Sequence, residues 1–170
     1  MTVAVPTSLD DAVRLLAEHP DAMLLAGGTD AMVEVNDGHR RPDDLVIALN
    51  RVGDLRAWRH DADAATLTIG AGVTYTELMQ EPLASLVPAL AEASRTVGSP
   101  QIRNAGTLGG NLGTCSPAGD GLPVLSALDA EVRIVAASGE RTASVHDVMV
   151  GVKSTSLEPG ELIADITVPI

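Results

Sequence analysis

The sequence has no Phe, one Trp, one Tyr, one Lys against ten Arg, and a single Cys in 170 residues. Each scarcity excludes something. Few aromatics means no stacking platform for single-stranded nucleic acid and no interfacial belt of a membrane protein. A net charge of −12 with no basic cluster leaves no face to grip a phosphate backbone, so no nucleic-acid partner is expected. No apolar run approaches the ~20 residues that span a bilayer. Cys115 has no second Cys for an intrachain disulfide, which makes a reducing cytoplasm the expected compartment. The N-terminal MTVAVPTSLDDA has neither a basic n-region nor a long apolar h-region, so no secretory signal is expected. His19, His39, His60 and His146 are scattered without metal-ligand spacing, and one Cys cannot hold an iron–sulfur cluster. No metal site is expected.

What is present suits a folded domain. The composition is 45% hydrophobic and 20% charged, and a chain of this length buries about 70% of its unfolded surface. The core must be aliphatic. Ser8 reads as the cap of a helix whose Leu9, Ala12, Val13, Leu16 and Ala17 share one face, stopped at Pro20. Residues 22–26 and 45–49 read as strands, with a loop-like stretch over 36–42 between them, so the first 50-odd residues form a small β-α-β unit. Thr66–Ala71 reads as a strand, and Thr74-Tyr75-Thr76-Glu77 has capping-box spacing. A helix is expected over 87–97 and another from Asp120 to about Leu128, with Asp120 as its cap. Residues 98–113 show no periodicity. Strands are expected over 131–136, 141–144 and 162–168, with a hairpin turn at Gly139. The pattern is a mixed α+β fold in two lobes.

Two glycine segments carry the chemistry. The first runs Leu24-Leu25-Ala26-Gly27-Gly28-Thr29-Asp30-Ala31. The second runs Thr107-Leu108-Gly109-Gly110-Asn111. Paired glycines let the backbone take positive φ and come close to a ligand, and successive N–H groups in such turns make an anion-binding concavity. Two such loops can clamp one diphosphate without nearby Lys. Neither is a Walker loop, and Gly70-Ala71-Gly72 lacks the third glycine of a Rossmann fingerprint. Arg103, beside the second loop, either meets a phosphate or forms a surface ion pair. Cys115 reads as a packed thiol.

These segments carry a resemblance. The stretch QIRNAGTLGGNLGTCSPAGDGLPVLSALDAEV (101–132), with LLAGGTD (24–30), TIGAGVTYTEL (68–78) and LEPGELIADITVP (157–169), resembles the FAD-binding domain of the flavin subunits of molybdenum hydroxylases, among them the medium subunit of carbon monoxide dehydrogenase and the flavin part of xanthine dehydrogenase. The resemblance implies a p-cresol methylhydroxylase-type fold, with a small α/β lobe over about 1–55 and a larger lobe over about 56–170 built on an antiparallel sheet with flanking helices. FAD is expected between the lobes. Residues 24–31 match the first FAD loop and 107–111 the second. Asp120 matches the family aspartate at the adenosine ribose. Val97 stands where some relatives place an aromatic beside the flavin, Ile163 matches an apolar residue near the cofactor, and Ile102 is apolar beside the second loop. Read as residues alone, Asp120 is also a helix cap, and Val97, Ile102 and Ile163 are also ordinary core.

The family's role is electron transfer within a complex. The resemblance implies a molybdenum-cofactor large subunit, a [2Fe–2S] small subunit, and FAD passing electrons to an acceptor, with no catalytic acid or base in this chain. Relatives continue past the Ile-Thr-Val-Pro motif into a further domain, which is expected to be absent here. A second reading keeps the fold without flavin chemistry, as a scaffold or interaction subunit or with another ligand in the cleft. In that reading the presumed flavin pocket contains no aromatic.

Overall fold

The computed structural model describes residues 2–38 and 44–170. In chain order the first part contains β1 (Thr2–Ala4), α1 (Leu9–Glu18), β2 (Met23–Leu25), α2 (Ala31–Asn36) and β3 (Leu45–Ala48). The strands form a parallel sheet in the order β1-β3-β2. Ser8 caps α1 by accepting from the Asp11 N–H, and Ala12 and Leu16 are buried from its apolar face. The expected β-α-β unit is therefore joined by a third strand at the N-terminus. The expected loop over 36–42 begins one residue late, because Asn36 ends α2. His39 and Arg40–Pro42 lie outside the described residues. Of β2 only Met23 is buried. Leu24 and Leu25 are half-buried, because this strand ends at a cavity instead of the core.

The second part contains β4 (Trp58–Asp61), β5 (Thr66–Gly70), α3 (Tyr75–Leu78), α4 (Leu83–Leu86), α5 (Pro88–Thr96), α6 (Pro100–Ala105), α7 (Leu108–Thr114), α8 (Gly121–Ala127), β6 (Glu131–Ala136), β7 (Gly139–Ser144), α9 (Val145–Val148), β8 (Met149–Gly151), β9 (Ser154–Thr155) and β10 (Leu162–Pro169). Five strands form an antiparallel sheet in the order β4-β5-β10-β6-β7, and β8-β9 is a separate ribbon. The β6–β7 hairpin closes on two residues, with Gly139 at φ +137°. One apolar cluster runs from Ala12, Leu16 and Ile47 through Leu67, Ile69, Leu125, Val132, Ile134 and Ile166, so both sheets share a core. Among the described residues, no helix is long and apolar enough to cross a membrane.

Two expectations are corrected. The segment 98–113 is not irregular but holds α6 and α7. Each starts at a side-chain cap, with Ser99 accepting from Ile102 N–H and Thr107 from Gly110 N–H. Glycine disfavours helix by ~1 kcal/mol, and packing overrides it here. Asp120 occupies the cap position of α8, but with helical φ −63° and ψ −27° and no cap hydrogen bond from its carboxylate. An effective cap is extended, so this carboxylate is left to other partners.

The capping box at α3 is complete. Glu77 N–H donates to Thr74 Oγ1 at 3.3 Å and Thr74 N–H to Glu77 Oε2 at 2.8 Å. Burial alone would raise the Glu77 pKa; hydrogen bonds from Thr74 and Arg56 outweigh it and hold the carboxyl below its ordinary 4.5. A depressed carboxyl stabilises the fold above its unfolded pKa and loses that effect as pH falls through the folded value. Glu77→Gln is expected to lower Tm at pH 7 by a few degrees, on the basis of about 1 kcal/mol for a cap and ~2–4 °C per kcal/mol. Its Tm should also fall less than that of the parent chain between pH 6 and 3. Thermal melts across that range check both.

Candidate functional site

A cavity of about 920 Å³ opens where β2 and α2 face α6, α7 and the β8–β9 ribbon. This is at the upper end of ligand-site volumes, roughly 300–1,000 Å³. The two glycine loops meet there. A Cβ on Gly27 would lie 2.6 Å from the Ala105 carbonyl carbon and 2.9 Å from Gly106 Cα. One on Gly110 would lie 3.7 Å from Ala26 Cβ. Gly28 adopts φ +70°, which turns the chain from β2 into α2.

The loops differ chemically. Among the described residues, the N–H groups of Gly27, Gly28 and Thr29 find no acceptor in the protein. In the second loop all but the Thr107 N–H are engaged. Leu108 N–H donates to Val73 O, Gly109 N–H to Ala71 O, Gly110 N–H to Thr107 Oγ1 and Asn111 N–H to Thr107 O. Its glycines serve close packing: a Cβ on Gly109 would sit 2.7 Å from Ala71 Cα. Ala71 in turn donates to Ala164 O at 2.9 Å, at the bulge where β10 shifts register. A short backbone ladder thus anchors the second loop to the central strand. Bulges recur beside binding sites for this kind of re-aiming.

Of the residues singled out in the sequence, Leu24, Leu25, Ala26, Gly27, Gly28, Thr29, Asp30, Ala31, Val97, Ile102, Thr107, Gly109, Gly110, Asn111, Asp120 and Ile163 all line this cavity. Leu108 does not. Its side chain is fully buried in the core and its N–H is engaged with Val73, so within the TLGGN motif it is a packing residue. Ile102 is 39% exposed and so is not core. Among the described residues Arg103 makes no ion pair; instead Nη1 donates to Val97 O at 2.8 Å and Gly98 O at 2.9 Å. It ties the end of α5 to α6. Cys115 is buried, and its thiol donates to Gly151 O at 3.5 Å.

Several lining residues were not legible in sequence. The pocket does contain an aromatic, Tyr75. It is only 4% exposed, and its N–H donates to Gly106 O at 3.1 Å. Burial first, then the negative charges of Asp120 and Asp30, push its hydroxyl above the usual tyrosine range, so it stays protonated. Lys153, the one lysine, reaches across the cavity mouth from the β8–β9 ribbon to Glu34 on α2. That bond holds its ammonium above the usual lysine value. Thr74 and Arg56 also line the wall. A capping-box motif was the only sequence signal near any of these, and it pointed to a helix start instead of a ligand. Asn111 is 9% exposed and its Oδ1 is buried without a partner. A buried acceptor left unpaired costs about 1–3 kcal/mol, which a bound donor would recover.

The chain is 37% identical over 169 residues to the nicotinate dehydrogenase FAD-subunit of Eubacterium barkeri, covering 96% of this chain and 56% of the relative. Its fold matches quinoline 2-oxidoreductase from Pseudomonas putida 86 at TM-score 0.94 and 30% identity, over 100% of this chain and 59% of that one. It matches carbon monoxide dehydrogenase from Hydrogenophaga pseudoflava at TM-score 0.93 and 32% identity, over 99% and 58%. The chain therefore spans little more than half the length of these relatives. The fold is that expected from the resemblance. A family model for the FAD-binding domain in molybdopterin dehydrogenase matches residues 1–170, and the chain belongs to that family.

Proposed function

We propose that residues 1–170 form one FAD-holding unit of a molybdenum hydroxylase-type oxidoreductase. In this reading the segment to about 55 makes one wall of the cleft and 56–170 the other. The observation that carries it is the pairing of unsatisfied groups at one cavity: free amides on the Gly27–Thr29 turn and an orphaned Asn111 Oδ1. A ligand that fits must bring an anion for the first and a hydrogen-bond donor for the second. A dinucleotide with a diphosphate and sugar hydroxyls brings both, so the residues fit FAD.

The roles follow from chemistry. The amides of Gly27, Gly28 and Thr29 hold the diphosphate, as oriented N–H groups do for anions without net positive charge. Thr107 Oγ1, already an acceptor from Gly110, has its hydroxyl proton to give. Asp120, released from capping, takes hydrogen bonds from sugar hydroxyls. Val97, Ile102 and Ile163 supply the apolar surface beside the flavin. Lys153 and Glu34 strap the cavity mouth. Bound FAD supplies the redox centre that accepts electrons and passes them on; the protein binds, orients and shields it. The partners in this reading are a molybdenum-cofactor subunit and a [2Fe–2S] subunit, and the compartment is the cytoplasm, in keeping with the lone buried Cys115.

The test is an absorbance spectrum of purified protein followed by FAD titration. The expected result is flavin absorbance in the near-UV and blue, bleached by dithionite. A colourless protein that takes up no FAD in excess would overturn the proposal.

A further inference from the structure

Two buried polar side chains converge on one spot in the cavity wall without protein partners. The first is Asn111, whose Oδ1 is orphaned. The second is Tyr75, 96% buried, whose hydroxyl makes no hydrogen bond among the described residues and which lines the same cavity. The point where a Cβ on Gly121 would stand is 3.0 Å from Asn111 Oδ1 and 3.9 Å from Tyr75 Oη. Leu108 Cδ1 stands 3.3 Å from the same point, and glycine there keeps a methyl group out of it. Gly119 makes room for the Asn111 amide itself, since its Cβ would lie 2.5 Å from Asn111 Nδ2. The carboxylate of Asp120, between the two glycines in sequence, also lines the cavity and makes no cap hydrogen bond.

The chemistry of this nook is acceptor-rich. Asn111 Oδ1 and Asp120 only accept, and Tyr75 Oη both donates and accepts. A phosphate oxygen carries no proton at neutral pH and would face Asp120 and Asp30, so it is disfavoured here. A sugar hydroxyl donates and accepts at once, and suits all three groups. We propose that Tyr75 Oη, together with Asn111 Oδ1, hydrogen-bonds a sugar hydroxyl of the bound dinucleotide, at a place where Gly119 and Gly121 bring no side chain. This rests on the FAD reading and adds to it a residue that lies in neither glycine loop. Because Tyr75 stays protonated across the working range, it contributes a neutral hydrogen bond with no pH dependence near neutrality.

The test is Tyr75→Phe in the full chain, titrated with FAD and separately with ADP. The ring that packs on Gly106 is retained, so the melting curve should stay near that of the parent. The expected result is about five- to tenfold weaker FAD binding, the size of one neutral hydrogen bond. Weakening for both FAD and ADP places the adenosine ribose in the nook, and weakening for FAD alone places the ribityl chain there. Gly121→Ala, which fills the same space, should weaken FAD comparably and serves if the Tyr75 variant does not fold. FAD binding within twofold of the parent in both variants overturns the proposal and leaves the FAD reading intact. A parent chain that takes up no flavin overturns both.

Discussion

Gly27→Ala is expected to weaken FAD binding at least about 100-fold, or about 2.7 kcal/mol, and to lower Tm by several degrees. The backbone at Gly27 is not left-handed, so conformation is not the obstacle. The obstacle is space: the added methyl would stand 2.6 Å from the Ala105 carbonyl carbon and 2.9 Å from Gly106 Cα. Both belong to backbone, which cannot rotate away as a side chain would. One loop must move relative to the other, and the free amides of Gly28 and Thr29 move with it. Overpacking of this kind costs roughly 1–3 kcal/mol of stability. Gly53→Ala is the control, since nothing lies within 4 Å of its Cβ position. FAD titration and melts with and without FAD check the pair. A Gly27→Ala chain that binds FAD like the parent would show that the Gly27–Thr29 turn does not form the diphosphate site.

Ile134→Ala is expected to give the opposite pattern, with a large loss of stability and little loss of intrinsic affinity. Ile134 is fully buried in the middle of β6, in the cluster that joins both sheets. Truncating a buried Ile costs about 2–5 kcal/mol through lost transfer energy and a residual cavity. At ~2–4 °C per kcal/mol for a domain of this size, Tm should fall by roughly 5–15 °C. Ile134 does not line the ligand cavity. A saturating ligand stabilises the native state by an amount set by its concentration and Kd, so FAD at about 100 times Kd should still add ~2.7 kcal/mol. For Gly27→Ala at the same FAD concentration that increment should fall to about 0.4 kcal/mol or less. The two variants separate a site defect from a core defect in one set of melts.

The glycine loops were legible because doubled glycine between apolar and polar residues is rare without a geometric reason. Sixteen of the seventeen residues singled out do share one cavity. Leu108 is the exception, because motif membership says nothing about which way a side chain points. Within a helical turn, Gly109, Gly110 and Asn111 line the cavity while Leu108 turns into the core. The helices α6 and α7 were missed because glycine and asparagine have poor helix propensity and leave no apolar stripe. Their caps, Ser99 and Thr107, were the available signal. Asp120 has the residue type of a cap, while its dihedrals do not fit one.

Local sequence suffices for the elements with strong local reasons: the Ser8-capped helix, the Thr74–Glu77 capping box, four of the five strands of the antiparallel sheet (β4 is the exception) and the positions of both glycine loops. Those follow from periodicity, capping chemistry and the need for small residues, all of which act over a few positions. Only the tertiary structure decided what faces the cavity from afar. Tyr75 enters because Thr74 bridges to Thr107, more than thirty residues on. Lys153 reaches Glu34 because Lys153 N–H is held by Cys115 O, which carries the ribbon to the cavity mouth. The division of labour between the loops is likewise tertiary. Of the TLGGN amides, Leu108 and Gly109 are held by Val73 and Ala71, and Gly110 and Asn111 by Thr107, whereas the Gly27–Thr29 turn keeps three successive N–H groups without an acceptor among the described residues. Long-range backbone pairing leaves no local trace in composition, and here it assigns the donors.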